Sequence, residues 1–120
     1  MQAVPTQVPA TSISRGYDRV GNQAFKITVK SSSFQMQETI AAKIESLAKI
    51  YFGSLKDEKN NIMFHVYCGP TYAGKEIGIR IADTRIQSVK RSNIIKYLDN
   101  IPTVGATVED IERIFQTIPK

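Results

Sequence analysis

The spacing of apolar side chains changes its period along the chain, and these changes fix an order of strands and helices. Residues 24–30 alternate apolar and polar side chains, which is typical of a half-buried strand. From Ser32 to Gly53 apolar positions instead recur every three or four residues, which predicts a long amphipathic helix. Ser32 and Gln35 form a capping box at its start, and Gly53 favours its end. The predicted apolar stripe of this helix consists of Met36, Ile40, Ile44, Leu47, Ala48 and Tyr51.

Two more alternating segments follow, at residues 62–68 and 77–81. The short link between them, residues 69–74, favours an antiparallel hairpin. In the first segment Ile62 and Phe64 are expected to face the core, which puts Met63 on the outer side of the sheet.

The last third of the chain is expected to be mainly helical. Asp83–Lys90 suits either a helix or a further strand, and both remain open. Ser92 and Thr107 are expected to cap two further helices. The predicted fold is α+β: a small antiparallel sheet of three or four strands, two or three helices packed on one of its faces, and an extended N-terminal arm.

The first fifteen residues have no strand or helix period and are rich in Pro, Thr, Gln and Ser. We therefore expect residues 1–15 to form an extended or disordered arm, residues 16–23 a connector, and residues 24–120 a single domain. Such an arm becomes ordered when a partner holds it. Its candidate partner-binding residues are the apolar Val4, Val8 and Ile13 and the charged Arg15.

Charge and cysteine content limit the partners and the compartment. Sixteen Lys and Arg against eleven Asp and Glu give a net charge of +5, which favours acidic partners. The basic residues are scattered, so solubility alone explains the excess equally well. The single cysteine excludes an internal disulfide, and we expect a reducing compartment: the cytoplasm, an organelle stroma or a virion interior. No segment approaches the roughly 18 apolar residues of a membrane span, so no membrane insertion is expected.

The segment Gly69–Glu76 resembles a phosphate-binding loop through Lys75 but departs from that pattern at the next position. Glu76 stands where a Ser or Thr would hold a magnesium ion, and a strand follows where a helix is needed. The sequence therefore favours a hairpin turn, with Lys75 left as a candidate anion contact.

The outer side of the sheet carries the most suggestive combination of side chains. Basic and aromatic residues on one sheet face can bind an acidic protein, or single-stranded nucleic acid through stacking and phosphate contacts. A plain solvated sheet face has a similar composition. The candidate residues are Lys26, Lys30, His65, Tyr67 and Arg80.

A catalytic centre is not expected. His65 and Cys68 are three residues apart, so in a strand their side chains face opposite sides of the sheet. One His and one Cys without clustered carboxylates cannot complete a metal site, and no cofactor is expected.

These observations predict a non-enzymatic adaptor or linker subunit of a larger multi-protein or ribonucleoprotein assembly, which docks through its arm and its basic sheet face. The alternative is an autonomous single-stranded nucleic-acid-binding domain that uses the same face. The expected partners are acidic proteins, with RNA or single-stranded DNA as the second class.

Overall fold

The computed structural model describes residues 11–17, 24–83, 85 and 88–119. In this part of the chain a four-stranded antiparallel sheet is combined with three helices, which confirms the predicted α+β class. The strands are β1 (Thr11–Tyr17), β2 (Ala24–Ser31), β3 (Phe64–Thr71) and β4 (Gly74–Ile81), and the helices are α1 (Phe34–Phe52), α2 (Val89–Leu98) and α3 (Val108–Gln116).

The strand order is β1-β2-β4-β3, and every neighbouring pair is antiparallel. Strands β2 and β3 therefore run in the same direction on either side of β4, and α1 is the crossover that joins them. In the register of the sheet Ile79 pairs with Phe25 on one side and with Val66 on the other. Since alternate strand residues face opposite sides, these three side chains lie together on the helix-covered face.

Helix α1 crosses β2, β3 and β4 and forms the core with them and with α3. At its end the ring of Phe52, which is fully buried, lies edge-on to Phe64 at 5.4 Å and to Phe115 at 5.1 Å. Phe52 was outside the predicted apolar stripe. The helix is capped by Ser33, whose side chain accepts a hydrogen bond from the Met36 N–H, and not by Ser32 as predicted.

The sheet begins earlier than the sequence indicated. Residues 11–15, assigned to the arm, and residues 16 and 17, assigned to the connector, form β1. Ile13 pairs with Val29 and is 4% exposed within the core. The Ile13 carbonyl accepts hydrogen bonds from the N–H groups of Gly105 (3.0 Å) and Ala106 (3.2 Å), and Ser14 forms a bridge with Val104. Residues 101–106 thus cover the outer edge of β1. The sequence around β1 did not indicate this strand because its partner is about 90 residues away along the chain.

The start of β3 is a second correction. Strand pairing begins at Phe64, whereas Ile62 forms an isolated bridge with Lys56 and is 48% exposed. Met63, predicted to face outward, is 1% exposed and belongs to the core, within 3.8 Å of the Ser88 hydroxyl. The alternation fails here because residues 62 and 63 follow the loop before the strand and not the strand itself.

For the segment Asp83–Lys90, where the sequence allowed either a helix or a strand, the structure shows the last two residues as helix. Helix α2 begins at Val89, and its cap is Ser88, whose hydroxyl accepts a hydrogen bond from the Arg91 N–H. The predicted cap, Ser92, lies within the helix. Residues 84, 86 and 87 of the segment are outside the described residues. Thr107 caps α3 as predicted, in a reciprocal capping box with Asp110.

Candidate functional site: the open sheet face

The helices cover one face of the sheet, and the other face is the candidate site. We call it the open sheet face and define it by the strand side chains that point away from the helices. All five residues selected from the sequence lie on it. Its polar and aromatic members are Ser12, Ser14, Lys26, Thr28, Lys30, His65, Tyr67, Thr71, Glu76 and Arg80.

Strand register divides the five selected residues into a cluster and a separate lysine. Arg80 pairs with His65, and Gly78 pairs with Tyr67 on one side and with Lys26 on the other. These pairs form two adjacent rows across the sheet. Lys30 pairs with Gly74, two rows beyond Lys26, which is about 13 Å along the strand. An extended ligand is therefore needed to contact both ends of the face.

Tyr67 lies across the sheet over Gly78. A Cβ atom at position 78 would come within 2.0 Å of the Cε1 and Cζ atoms of the Tyr67 ring. The Arg80 guanidinium carbon is 5.2 Å from the centre of the same ring, within the range of a cation–π contact. Together these contacts hold the ring in place on the sheet. The sequence signal for this arrangement was an isolated glycine inside a strand, which marks a close approach.

A single carboxylate moderates the positive charge of the face. Glu76 Oε2 lies 3.3 Å from Lys26 Nζ, and both side chains are less than one-third exposed. Three cations, at Lys26, Lys30 and Arg80, stand against this one carboxylate among the strand positions of the open sheet face. The face is therefore positive around its aromatic centre, but less so than the sequence count of basic residues indicated.

Lys75 is not part of the open sheet face. Its Nζ atom lies 2.8 Å from Glu38 Oε2 of α1, on the helix side of the sheet, and this hydrogen bond raises the pKa of Lys75. Residues 70 and 71 belong to β3, so the hairpin turn consists only of Tyr72 and Ala73, with Ala73 at φ 67°. The segment that resembled a phosphate-binding loop is thus two paired strands and a tight turn.

The predicted arm residues separate into two groups. Ile13 is in the core, and the Arg15 side chain donates from Nε to the Ile101 carbonyl, so both contribute to the attachment of β1. Val4 and Val8 lie outside the described residues.

His65 and Cys68 were the residues considered for catalytic or metal chemistry. His65 is on the open sheet face, whereas Cys68 faces the helices, as their spacing predicted. Burial, with a smaller contribution from the Glu45 charge, raises the pKa of the Cys68 thiol. In residues 11–17, 24–83, 85 and 88–119 there is no group of three or more potential metal ligands.

Comparison with protein-family models, with curated proteins and with solved structures gave no match. In the portion of the chain that the structure describes, none of the helices has the length and apolar character needed to cross a membrane.

Proposed function

We propose that the protein is a non-enzymatic adaptor or linker subunit of a larger multi-protein or ribonucleoprotein assembly, and that it docks on an acidic partner through the open sheet face. The observation that carries this proposal is the one-sided packing of the sheet. The helices cover one face, while the other presents Tyr67, Arg80 and Lys26 together. Residues 11–17 form β1 and belong to the domain. Docking through the N-terminal arm is therefore proposed for residues 1–10 only.

A second candidate function, single-stranded nucleic-acid binding, is favoured by the environment of Tyr67. An aromatic ring on a sheet surface suits a stacked base, and the Arg80 guanidinium that lies over this ring would move aside to contact a phosphate. One such ring offers a single stacking position, and stacking contributes about 1–3 kcal/mol per base. An acidic protein needs only the charge of the face, which is why the adaptor function comes first.

The test is capture of partners from a native extract by the full chain, with mass spectrometry of what is retained. A Lys26→Glu/Arg80→Glu variant reverses two charges on the open sheet face. A Lys43→Glu/Lys96→Glu variant makes the same change in net charge at exposed helix positions and serves as the matched control. A chain that begins at Thr11 tests the arm, because a chain that begins at Gly16 would also lose most of β1.

The adaptor function predicts a stoichiometric protein partner that persists after nuclease treatment, is lost with the open-face variant and is retained by the control. Loss of all partners after nuclease treatment would move the assignment to nucleic acid. Equal retention by both double variants would contradict docking through the open sheet face.

A further inference from the structure

A cavity of about 300 Å³ lies on the helix side of the sheet, beneath α2 and away from the open sheet face. It is found where β1 ends and β2 begins, and all four strands and α2 contribute to its wall. Helix α2 packs on α3, which leaves space between α2 and this end of the sheet. The lining residues are Tyr17, Phe25, Phe64, Ile79, Ile81, Ile95 and Leu98.

The lining side chains that the structure describes are mostly hydrocarbon. Tyr17 carries the one polar side-chain group among the lining residues, and its O–H donates a hydrogen bond to Asp99 Oδ1. Tyr17 is 47% exposed and Ile95 is half-buried, whereas the other lining residues are 7% exposed or less, so the mouth lies between these two. A water molecule inside needs two to four polar partners, and the described lining side chains offer one oxygen. The cavity therefore suits an apolar occupant better than water.

We propose that this cavity binds a small, uncharged, largely apolar molecule, about the size of a bicyclic aromatic. An apolar cavity of about 150 Å³ holds benzene, so a volume about twice as large suits two fused rings or a short branched chain. Because the Tyr17 proton is engaged by Asp99, the phenol oxygen is left as an acceptor, and a ligand hydroxyl at the mouth can donate to it. None of the lining residues that the structure describes is a cation, so within that part of the wall a carboxylate ligand would be desolvated without a partner.

The experiment is an NMR titration of the full chain, labelled at Ile and Leu methyl groups, with 2-naphthol and separately with 2-naphthoate. Saturable shifts are expected at the methyl groups of Ile79, Ile81, Ile95 and Leu98, with those of Ile44 and Ile111 unchanged. Contacts between the ring protons of 2-naphthol and the same methyl groups locate the ligand without any substitution. The affinity for 2-naphthoate is expected to be at least tenfold weaker.

Two substitutions on α2 provide a matched pair. Ile95→Phe fills the mouth and is expected to weaken 2-naphthol binding at least tenfold, whereas Val89→Phe, at a position that is 76% exposed, leaves it unchanged. Absence of saturable shifts at the cavity methyl groups would overturn the proposal, as would equal binding of the two probes. Shifts that depend on protein concentration without any probe, and that Ile95→Phe removes, would instead show that a second copy of the chain fills the cavity.

Discussion

The ring of Tyr67 occupies the space that any side chain at position 78 would need, so these two residues depend on each other. A glycine inside a central strand is destabilising by about 0.5–1 kcal/mol relative to alanine when nothing uses the gap. In this sheet the Tyr67 ring fills the space beside Gly78, and the Arg80 guanidinium lies over the same ring.

Gly78→Ala is therefore expected to destabilise the fold by about 1–3 kcal/mol, because the new methyl group displaces the ring. In a Tyr67→Ala background the same substitution is expected to be neutral or stabilising, since only the strand preference of alanine remains. Urea denaturation of the four proteins in this double-mutant cycle measures the coupling. Additive effects of the two substitutions would contradict the contact.

Glu76→Gln tests the electrostatics of the open sheet face. Removal of this carboxylate next to Lys26 is expected to strengthen binding of an acidic probe, such as an oligo-dT or an oligoglutamate, several-fold at low salt. Lys30→Gln is expected to weaken binding of the same probe. Lys75→Gln is the control, because this lysine of the same sheet faces α1 and pairs with Glu38. Fluorescence anisotropy over a range of salt concentrations is the measurement.

The interpretation of that titration rests on its slope. For single-stranded nucleic acid the logarithm of the affinity falls by about 0.7 per logarithmic unit of salt for each phosphate contact. Lys30→Gln should reduce the slope if Lys30 contacts a phosphate. Identical curves for Lys30→Gln and Lys75→Gln would remove Lys30 from the site.

Ile13→Ala tests whether β1 belongs to the folded domain. Loss of a side chain that is 4% exposed in the core is expected to cost about 2–5 kcal/mol, toward the lower end because β1 is at the edge of the sheet. Ser12→Ala, one residue away and exposed, is expected to change stability by no more than about 0.5 kcal/mol. Thermal or urea unfolding distinguishes them, and equal stabilities would contradict the packing of Ile13 in the core.

Ionisation of Tyr17 is expected to lower the stability of the fold at alkaline pH. Burial, reinforced by the hydrogen bond to Asp99, raises the pKa of Tyr17 from 10.0 to about 12. The folded state thus disfavours the phenolate, so the stabilising contribution is complete below pH 10 and is lost as the pH rises toward 12. Because the side chain is 47% exposed, solvent screening reduces this contribution to about 1 kcal/mol.

The measurement is urea unfolding of the full chain and of Tyr17→Phe at a series of pH values. The stability difference between the two is expected to shrink between pH 10 and 12. Ultraviolet absorbance of the phenolate, taken as the difference between the two proteins, reports the Tyr17 titration directly. A normal titration near pH 10 would contradict the burial of the Tyr17 hydroxyl and its contact with Asp99.

The sequence predicted correctly those features that depend on residues close together along the chain. The helical period of α1, the Thr107 cap of α3 and the alternation in β2 each depend on neighbours within a few residues, and they were predicted. The α+β class followed from their order. The five candidate residues of the open sheet face were placed on one surface by the same alternation.

What the sequence did not show depends on distant contacts. β1 has one buried aliphatic residue, Ile13, and its pairing is completed by residues 101–106. The salt bridge between Lys26 and Glu76 is set by strand register, which periodicity alone does not fix. The position of Tyr67 over Gly78 follows from the same register, so the electrostatics of the site emerged only in the structure.

The attachment of β1 has a consequence for biosynthesis. Its outer edge is paired by residues 101–106, which leave the ribosome long after residues 11–17 have emerged. Until then β1 has its β2 partner at most, and its other row of backbone donors and acceptors stays bare. An unpaired strand edge is open to association with other chains. The outer edge of β1 is therefore covered only after all four strands have emerged, and until then it is a site at which the nascent chain can aggregate.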